Sequence, residues 1–163
     1  MTGGKPIAEA LKISVDRDSI RYFLAADYQL SKQPGSASLA CVQARLCQSF
    51  WLLSQSRVNH CWNTFGTAAR LALVLGLHRK PPPSLANTRT LVYLECCRRT
   101  FWSAYCLDNY LSITLGRPRI FHDDDIDQEF PSGADDDELF AHQRVPGSSY
   151  AYSTMLAPLA YYK

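Results

Sequence analysis

A run of carboxylates at residues 123–127 (DDDID) is the first feature of the sequence that could do chemistry. Asp123, Asp124 and Asp127 have the DDxxD spacing that can hold magnesium through a diphosphate, and hard oxygen ligands suit that ion. Such carboxylates need to project together from a helix into an apolar pocket. Here they follow a Gly-Arg-Pro break at residues 116–118, which favours an irregular loop. A second acidic motif on another helix is also missing.

Two interpretations of this run remain open. In one, the chain is an all-α, magnesium-dependent enzyme of the prenyl-transferring or terpene type that uses these aspartates. In the other, the acidic loop pairs with basic helices of its own domain. We favour the second interpretation because the charge is uneven: residues 1–121 contain 15 of the 17 lysines and arginines, whereas residues 122–138 contain nine acids and no lysine or arginine.

The other reactive residue types form no catalytic pattern. The four histidines are scattered, no GxSxG or glycine-rich phosphate loop occurs, and the six cysteines include no CxxC pair or zinc-finger spacing. The cysteines lie in apolar helical patterns, which indicates reduced, buried thiols. No apolar run approaches the roughly 20 residues that span a bilayer. We therefore expect no catalytic residue, no metal or cofactor site and no membrane contact in this chain.

Apolar periodicity predicts an all-α fold, a multi-helix bundle of antiparallel helical hairpins that is incomplete at the C-terminus. In the helix predicted from Ser38 to Ser54, the core stripe is Leu39, Val42, Leu46, Phe50 and Leu53. Gly76 and Gly116 are placed to end two of the helices. The predicted helices are residues 8–13, 16–31, 38–54, about 60–77, 89–115, and a last one from Ser148 or Ser149 to about 160.

The long helix at residues 89–115 carries Asp108 on its apolar stripe. A carboxylate in that position needs a partner, since an unpaired buried charge is costly. The planar fork of an arginine is the expected partner, and Arg98, Arg99 and Arg117 are the candidates. We expect this ion pair to fasten the loop after the helix onto the bundle.

A set of residues in and after the long helix carries a family resemblance: Glu95, Arg98, Arg99, Phe101, Trp102, Tyr105, Asp108, Gly116, Arg117, Pro118, Asp125 and Asp127. Their order and spacing resemble the fungal-specific transcription factor domain, the middle regulatory region of zinc binuclear cluster transcription factors. The resemblance implies a structural role for these residues. Cys97 and Asn109 stand where the family often has basic residues.

The resemblance implies a regulatory, non-catalytic domain that takes part in DNA-templated transcription regulation in the nucleus. Its implied partners are other domains of the same factor, co-regulators and a small-molecule effector. DNA binding and zinc binding are expected only from an N-terminal cysteine cluster, which these residues do not contain.

The expected domain organisation has three parts. Residues 1–36 form an N-terminal helical flank, residues 37–131 form the core of the regulatory domain, and residues 132–163 form an acidic linker and the start of a further helix. Because the apolar pattern is still running at Lys163, we expect a truncated domain.

Overall fold

The structure is a computed structural model that describes residues 5–32, 37–82 and 91–133, with side chains from Arg17 onward. Within these residues it contains α1 (Lys5–Ser31), α2 (Leu39–Ser54), α3 (Val58–Val74), α4 (Leu91–Leu115) and a 3-10 turn at Asp123–Asp125. No strand occurs in the described ranges, and the prediction of an all-α fold is confirmed. The helix predicted to begin at Ser148 or Ser149 lies outside the described residues.

The helix α1 belongs to a compact unit formed by residues 1–36, and the other helices belong to a second unit, residues 37–163. The sequence predicted two helices in the first unit, residues 8–13 and 16–31. The structure has one continuous helix instead. Pro6 lies in the first turn, where no intrahelical N–H is needed, and neither glycine nor proline follows before Pro34, so nothing interrupts the helix.

The helix α2 begins where the sequence predicted. The hydroxyl oxygen of Ser38 accepts a hydrogen bond from the Cys41 N–H at 3.2 Å, and this caps the helix. The predicted core face is only partly correct, because Phe50 is 45% exposed whereas Leu52 is fully buried. The buried face of α2 includes Ser49 instead of Phe50. Ser49 can be buried because its hydroxyl donates to the Arg45 carbonyl at 2.8 Å.

A tight turn reverses the chain between α2 and α3. Ser56 has a φ of +56°, in the left-handed region. Its N–H bonds to the Leu53 carbonyl at 3.0 Å, and the Arg57 N–H bonds to the Leu52 carbonyl at 2.9 Å. These two bonds form a Schellman motif, with serine at the position where glycine is usual. α3 then packs back along α2, which is the predicted helical hairpin.

The helix α3 ends at a second Schellman motif. Gly76 has a φ of +69°, and its N–H bonds to the Leu73 carbonyl while the Leu77 N–H bonds to the Ala72 carbonyl, each at 3.0 Å. The prediction that Gly76 stops the helix is confirmed, although the helix itself ends at Val74. The chain then leads toward α4, and we call its described part, residues 75–82, the link.

The helix α4 packs against both members of the hairpin. On the α2 side, Gln43 Nε2 donates a hydrogen bond to Thr100 Oγ1 at 3.1 Å. Gly116, with a φ of +62°, ends the helix as predicted, and the Arg117 N–H returns to the Ser112 carbonyl at 3.2 Å. No helix in the described residues is long and apolar enough to cross a membrane.

Among the six cysteines, which are all free, burial is uneven. Cys41, Cys61 and Cys97 are buried, as the apolar pattern predicted, and burial raises the pKa of the Cys61 thiol to about 11. Cys47 is exposed. The expectation of buried thiols therefore does not hold for that cysteine, which lies on the outward side of α2.

Candidate functional site

Residues 117–132, here called the acidic strap, run irregularly from the end of α4 back over that helix and over the link after α3. Their one regular feature is the 3-10 turn at Asp123–Asp125. We call residues 117–125 the inner half of the strap and residues 126–132 its outer half. The candidate site consists of the strap and the groups on α3, the link and α4 that hold it.

The inner half is fastened by Asp108, which is buried as predicted, with 2% of the residue exposed. The predicted ion pair with Arg98, Arg99 or Arg117 is wrong. Asp108 Oδ2 instead accepts hydrogen bonds from the backbone N–H groups of Ile120 at 2.8 Å and Phe121 at 2.9 Å.

The electrostatics of Asp108 are set by two opposing effects. Burial raises the pKa of Asp108, and the two backbone N–H groups and the charge of Arg119 partly offset that rise. Backbone donors therefore satisfy the carboxylate without an arginine being buried beside it.

Phe121 is the apolar anchor of the inner half and is 1% exposed. Its ring lies edge-on to Phe101, with centroids 5.3 Å apart, and edge-on to Phe65 at 6.3 Å. Edge-to-face pairs of this kind add to the stabilisation that comes from burying the rings. Phe121 thus joins the strap to the shared core of α3 and α4.

A second polar cluster surrounds Arg119. Its Nη1 donates to Asn109 Oδ1 at 3.0 Å, and its Nη2 lies 3.3 Å from Asp123 Oδ2. The Tyr105 hydroxyl donates to Asp123 Oδ1 at 2.8 Å. The hydrogen bond from Tyr105, followed by that from Arg119, lowers the pKa of Asp123. Asn109, which departs from the family pattern, is therefore an acceptor for the strap arginine.

Arg117 connects the beginning of the strap to the beginning of α3. Its Nη2 donates to Asn59 Oδ1 at 2.8 Å, and its guanidinium lies 4.4 Å from the centre of the Trp62 ring. Such a cation–π contact contributes roughly 0.5–1 kcal/mol at an exposed site. Pro118 is exposed, and a proline disfavours helical backbone at the residue before it, here Arg117.

The end of the outer half is held by Glu95 of α4, whose side chain is 3% exposed. Glu95 accepts from Arg99 Nε at 3.1 Å and lies 3.4 Å from Arg98 Nη1. Its Oε1 also accepts from the Ser132 N–H at 2.8 Å. The Glu-x-x-Arg-Arg spacing thus places two cations one turn after a buried carboxylate. The same carboxylate accepts a hydrogen bond from the end of the strap.

Glu129 is the bridging acid of the outer half. It forms ion pairs with Lys80 of the link and with Arg98 of α4, the latter at 2.7 Å. The hydrogen bond from Lys80, together with the charge of Arg98, lowers the pKa of Glu129. Its carbonyl accepts from Trp102 Nε1 at 2.8 Å, and the next residue, Phe130, stacks on Trp102 with centroids 4.3 Å apart.

Gln128 and Asp127 attach the strap to the link. Gln128 is buried, and its Nε2 donates to the carbonyls of Leu77 at 2.9 Å and Arg79 at 3.0 Å. The N–H groups of Asp127 and Gln128 both donate hydrogen bonds to the His78 carbonyl. The Lys80 N–H donates to Asp127 Oδ1 at 2.8 Å. Gln128 was missed by the sequence analysis, because a lone amide among acids gives no periodic signal.

The carboxylates of the acidic run are not gathered as the enzyme interpretation requires. Asp123 is engaged by Arg119 and Tyr105, whereas Asp127 is engaged by the link, so the two carboxylates face different partners. Asp124 and Asp125 are exposed. Across residues 5–32, 37–82 and 91–133, no group of three His, Cys, Asp or Glu side chains is arranged to hold a metal ion. The prediction that the acidic loop pairs with basic helices of its own domain is confirmed for Arg98 of α4, whereas Lys80 belongs to the link and Arg119 to the strap itself.

A cleft of about 300 Å³ lies between the link and α4, beside the outer half of the strap. Its apolar wall includes Leu77, Leu94 and Cys97, and its polar wall includes Arg98 and Gln128. The strap therefore contributes directly to the wall of this cavity.

Comparisons with known proteins give a consistent result. The family model described as "Fungal specific transcription factor domain" matches residues 5–161. A Saccharomyces cerevisiae protein named as a transcriptional regulatory protein is 34% identical over 122 residues, which are 75% of this chain and 16% of that protein. Activator of stress genes 1 of the same yeast is 30% identical over 134 residues, 82% of this chain and 14% of that protein.

A third relative is named as a negative regulator, whereas the second is named as an activator. The negative regulator of pleiotropic drug resistance STB5 of Candida glabrata is 36% identical over 77 residues, 47% of this chain and 8% of that protein. The chain thus spans less than a fifth of the length of each of these three relatives. No solved structure matches the chain.

Proposed function

The chain belongs to the family of fungal specific transcription factor domains, and we propose that it acts as the non-catalytic regulatory domain of a nuclear transcription regulator. The family match over residues 5–161 carries this proposal. The internally closed strap supports it, because the carboxylates that could have served an enzyme are used to hold the domain together. The relatives' names include an activator and a negative regulator, so the proposal names no direction of regulation.

In this proposal the domain works through contacts with other parts of the same regulator or with co-regulators. DNA and zinc are bound by a cysteine cluster in another part of the regulator. A small-molecule effector would bind in the cleft beside Arg98 and Gln128, whose apolar wall and few polar groups are typical of a ligand site. The strap would then transmit binding, because Gln128 belongs to both the strap and the cleft wall.

A reporter experiment tests the proposed function. The chain is inserted between a heterologous DNA-binding domain and an activation segment in yeast, and a flexible Gly/Ser linker replaces it in the reference fusion. We expect the insert to change reporter output severalfold relative to the linker. Equal output from the two fusions, with the inserted chain shown to be folded and nuclear, would contradict the proposal.

A further inference from the structure

The two halves of the acidic strap are held by different kinds of interaction. The inner half buries Phe121 completely and places two N–H groups on the buried Asp108. Burying a phenylalanine ring removes a large apolar surface from water, which stabilises the inner half. In the outer half Phe130 remains 44% exposed and Ile126 is only partly buried.

The outer half depends instead on polar contacts: those of Gln128 and Glu95 are buried, whereas the ion pairs with the link are open to solvent. The side chains of Lys80 and Glu129 are 61% and 45% exposed, and that of Asp127 is 58% exposed. Exposed ion pairs contribute little, because water and salt screen them. The hydrogen bonds to the link replace bonds to water, so their net contribution is also modest.

Of the five buried side-chain polar atoms that lack a partner in the described residues, three lie around the outer half, and the other two are Gln48 Nε2 and Ser112 Oγ. Arg98 Nε, His78 Nδ1 and Ser132 Oγ are buried and have no hydrogen-bond partner in the described part of the chain. Each belongs to a residue that holds the outer half or lies in it: Arg98 pairs with Glu129, the His78 carbonyl receives Asp127 and Gln128, and Ser132 bonds to Glu95. Unsatisfied buried groups lower the stability of the closed arrangement relative to an open one in which water reaches them.

The outer half also connects the two elements that line the cleft. It joins the link, through the carbonyls of Leu77, His78 and Arg79, to α4, through Glu95, Arg98 and Trp102. The cleft lies between these two elements, and Gln128 forms part of its wall.

We propose that residues 126–132 form a latch that closes the cleft between the link and α4 and opens while the inner half remains fastened. Opening breaks the Glu129 ion pairs and the contacts of Gln128 and Ser132, and it exposes the apolar wall and Trp102. Phe121 and the Asp108 hydrogen bonds stay in place, so the opening is local. The use of the latch in regulation rests on the proposed function, whereas its existence does not.

Native-state hydrogen exchange on the whole chain tests the latch. The amides of Asp127, Gln128 and Ser132 and the indole N–H of Trp102 are compared with the amides of Ile120 and Phe121. We expect the first group to exchange through an opening of lower free energy and weaker denaturant dependence than the second. A single shared opening for both groups, or greater protection of the outer half, would overturn the proposal.

Two variants sharpen this experiment. Glu129→Gln removes the bridging charge, and we expect it to speed exchange of the outer-half amides about fivefold, the effect of a weak exposed ion pair, without changing Ile120 and Phe121. Asp124→Asn is the matched control, since it removes an exposed strap carboxylate outside the latch, and exchange should not change. Equal acceleration of both halves in Glu129→Gln would also overturn the latch. Because exchange reports on the fold alone, a failed reporter experiment would not produce either result.

Discussion

At the scale of single residues, Asp108 shows how a buried acid can be satisfied without a basic side chain. The sequence correctly indicated that Asp108 is buried, because it lies on the apolar stripe of α4. It could not identify the partner, because the donors are the backbone N–H groups of Ile120 and Phe121. Every residue type except proline has such a group, so the path of the strap decides which N–H groups reach Asp108.

Removing the Asp108 side chain should leave these two N–H groups without an acceptor. We expect Asp108→Ala to lower the free energy of unfolding by about 3 kcal/mol, since each stranded buried donor costs roughly 1–3 kcal/mol. Asp108→Asn keeps an oxygen acceptor and removes the buried charge, so its loss should be about 1 kcal/mol or less. Urea unfolding measures both values. Equal losses in the two variants would mean that the acceptor role is not what stabilises the strap.

The pKa shifts predict opposite pH dependences for two strap contacts. The pKa of Glu129 is lowered in the folded chain, so its contribution is present above the unfolded pKa and is lost as pH falls through the folded pKa. The pKa of Asp108 is raised, so the folded state holds its proton more tightly and stability decreases as pH rises from the unfolded to the folded pKa.

Urea unfolding across the acidic range measures these dependences. Relative to the unmodified chain, Glu129→Gln should become less stable as pH rises, and Asp108→Asn should become more stable. Parallel pH curves for the two variants would contradict these assignments.

At the scale of elements, the helix ends were the features most readable from the sequence. Gly76 and Gly116 were predicted as stops, and both adopt the left-handed conformation. The face of α2 was less readable, since Ser49 is buried through a hydrogen bond to its own helix and Phe50 is left outside. Hydropathy alone cannot detect such internal satisfaction of a polar group.

The two Schellman turns offer a matched pair of substitutions. A non-glycine residue in the left-handed conformation costs roughly 1–2 kcal/mol, part of which glycine loses again through its freer unfolded chain. We expect Ser56→Gly to raise the free energy of unfolding by up to about 1 kcal/mol. Gly76→Ala should lower it by a similar amount, and no atom within 4 Å of the added methyl group would confuse the result. Thermal and urea unfolding measure both, and a loss of stability in Ser56→Gly would contradict the role given to this turn.

At the scale of the whole molecule, the uneven charge of the sequence becomes an internal fastening. Acids of the strap meet a cation of α4, as the favoured interpretation predicted, and also cations of the link and of the strap itself, which it did not predict. The strap's attachment to the link was not predicted, because it runs through the carbonyls of Leu77, His78 and Arg79 and through one buried amide, Gln128. The family resemblance identified the residues around this attachment without giving their contacts.

The most direct test of this account is a thermal-unfolding titration of the whole chain with magnesium, because it separates an internal fastening from a metal site. Sodium chloride at matched ionic strength is the control for screening of the exposed ion pairs. A specific site stabilises the folded chain by mass action, so the melting temperature would rise steadily with magnesium concentration. If the strap is an internal fastening, magnesium and sodium chloride give the same melting temperature at every ionic strength. A rise specific to magnesium that Asp123→Asn or Asp127→Asn abolishes would contradict this account.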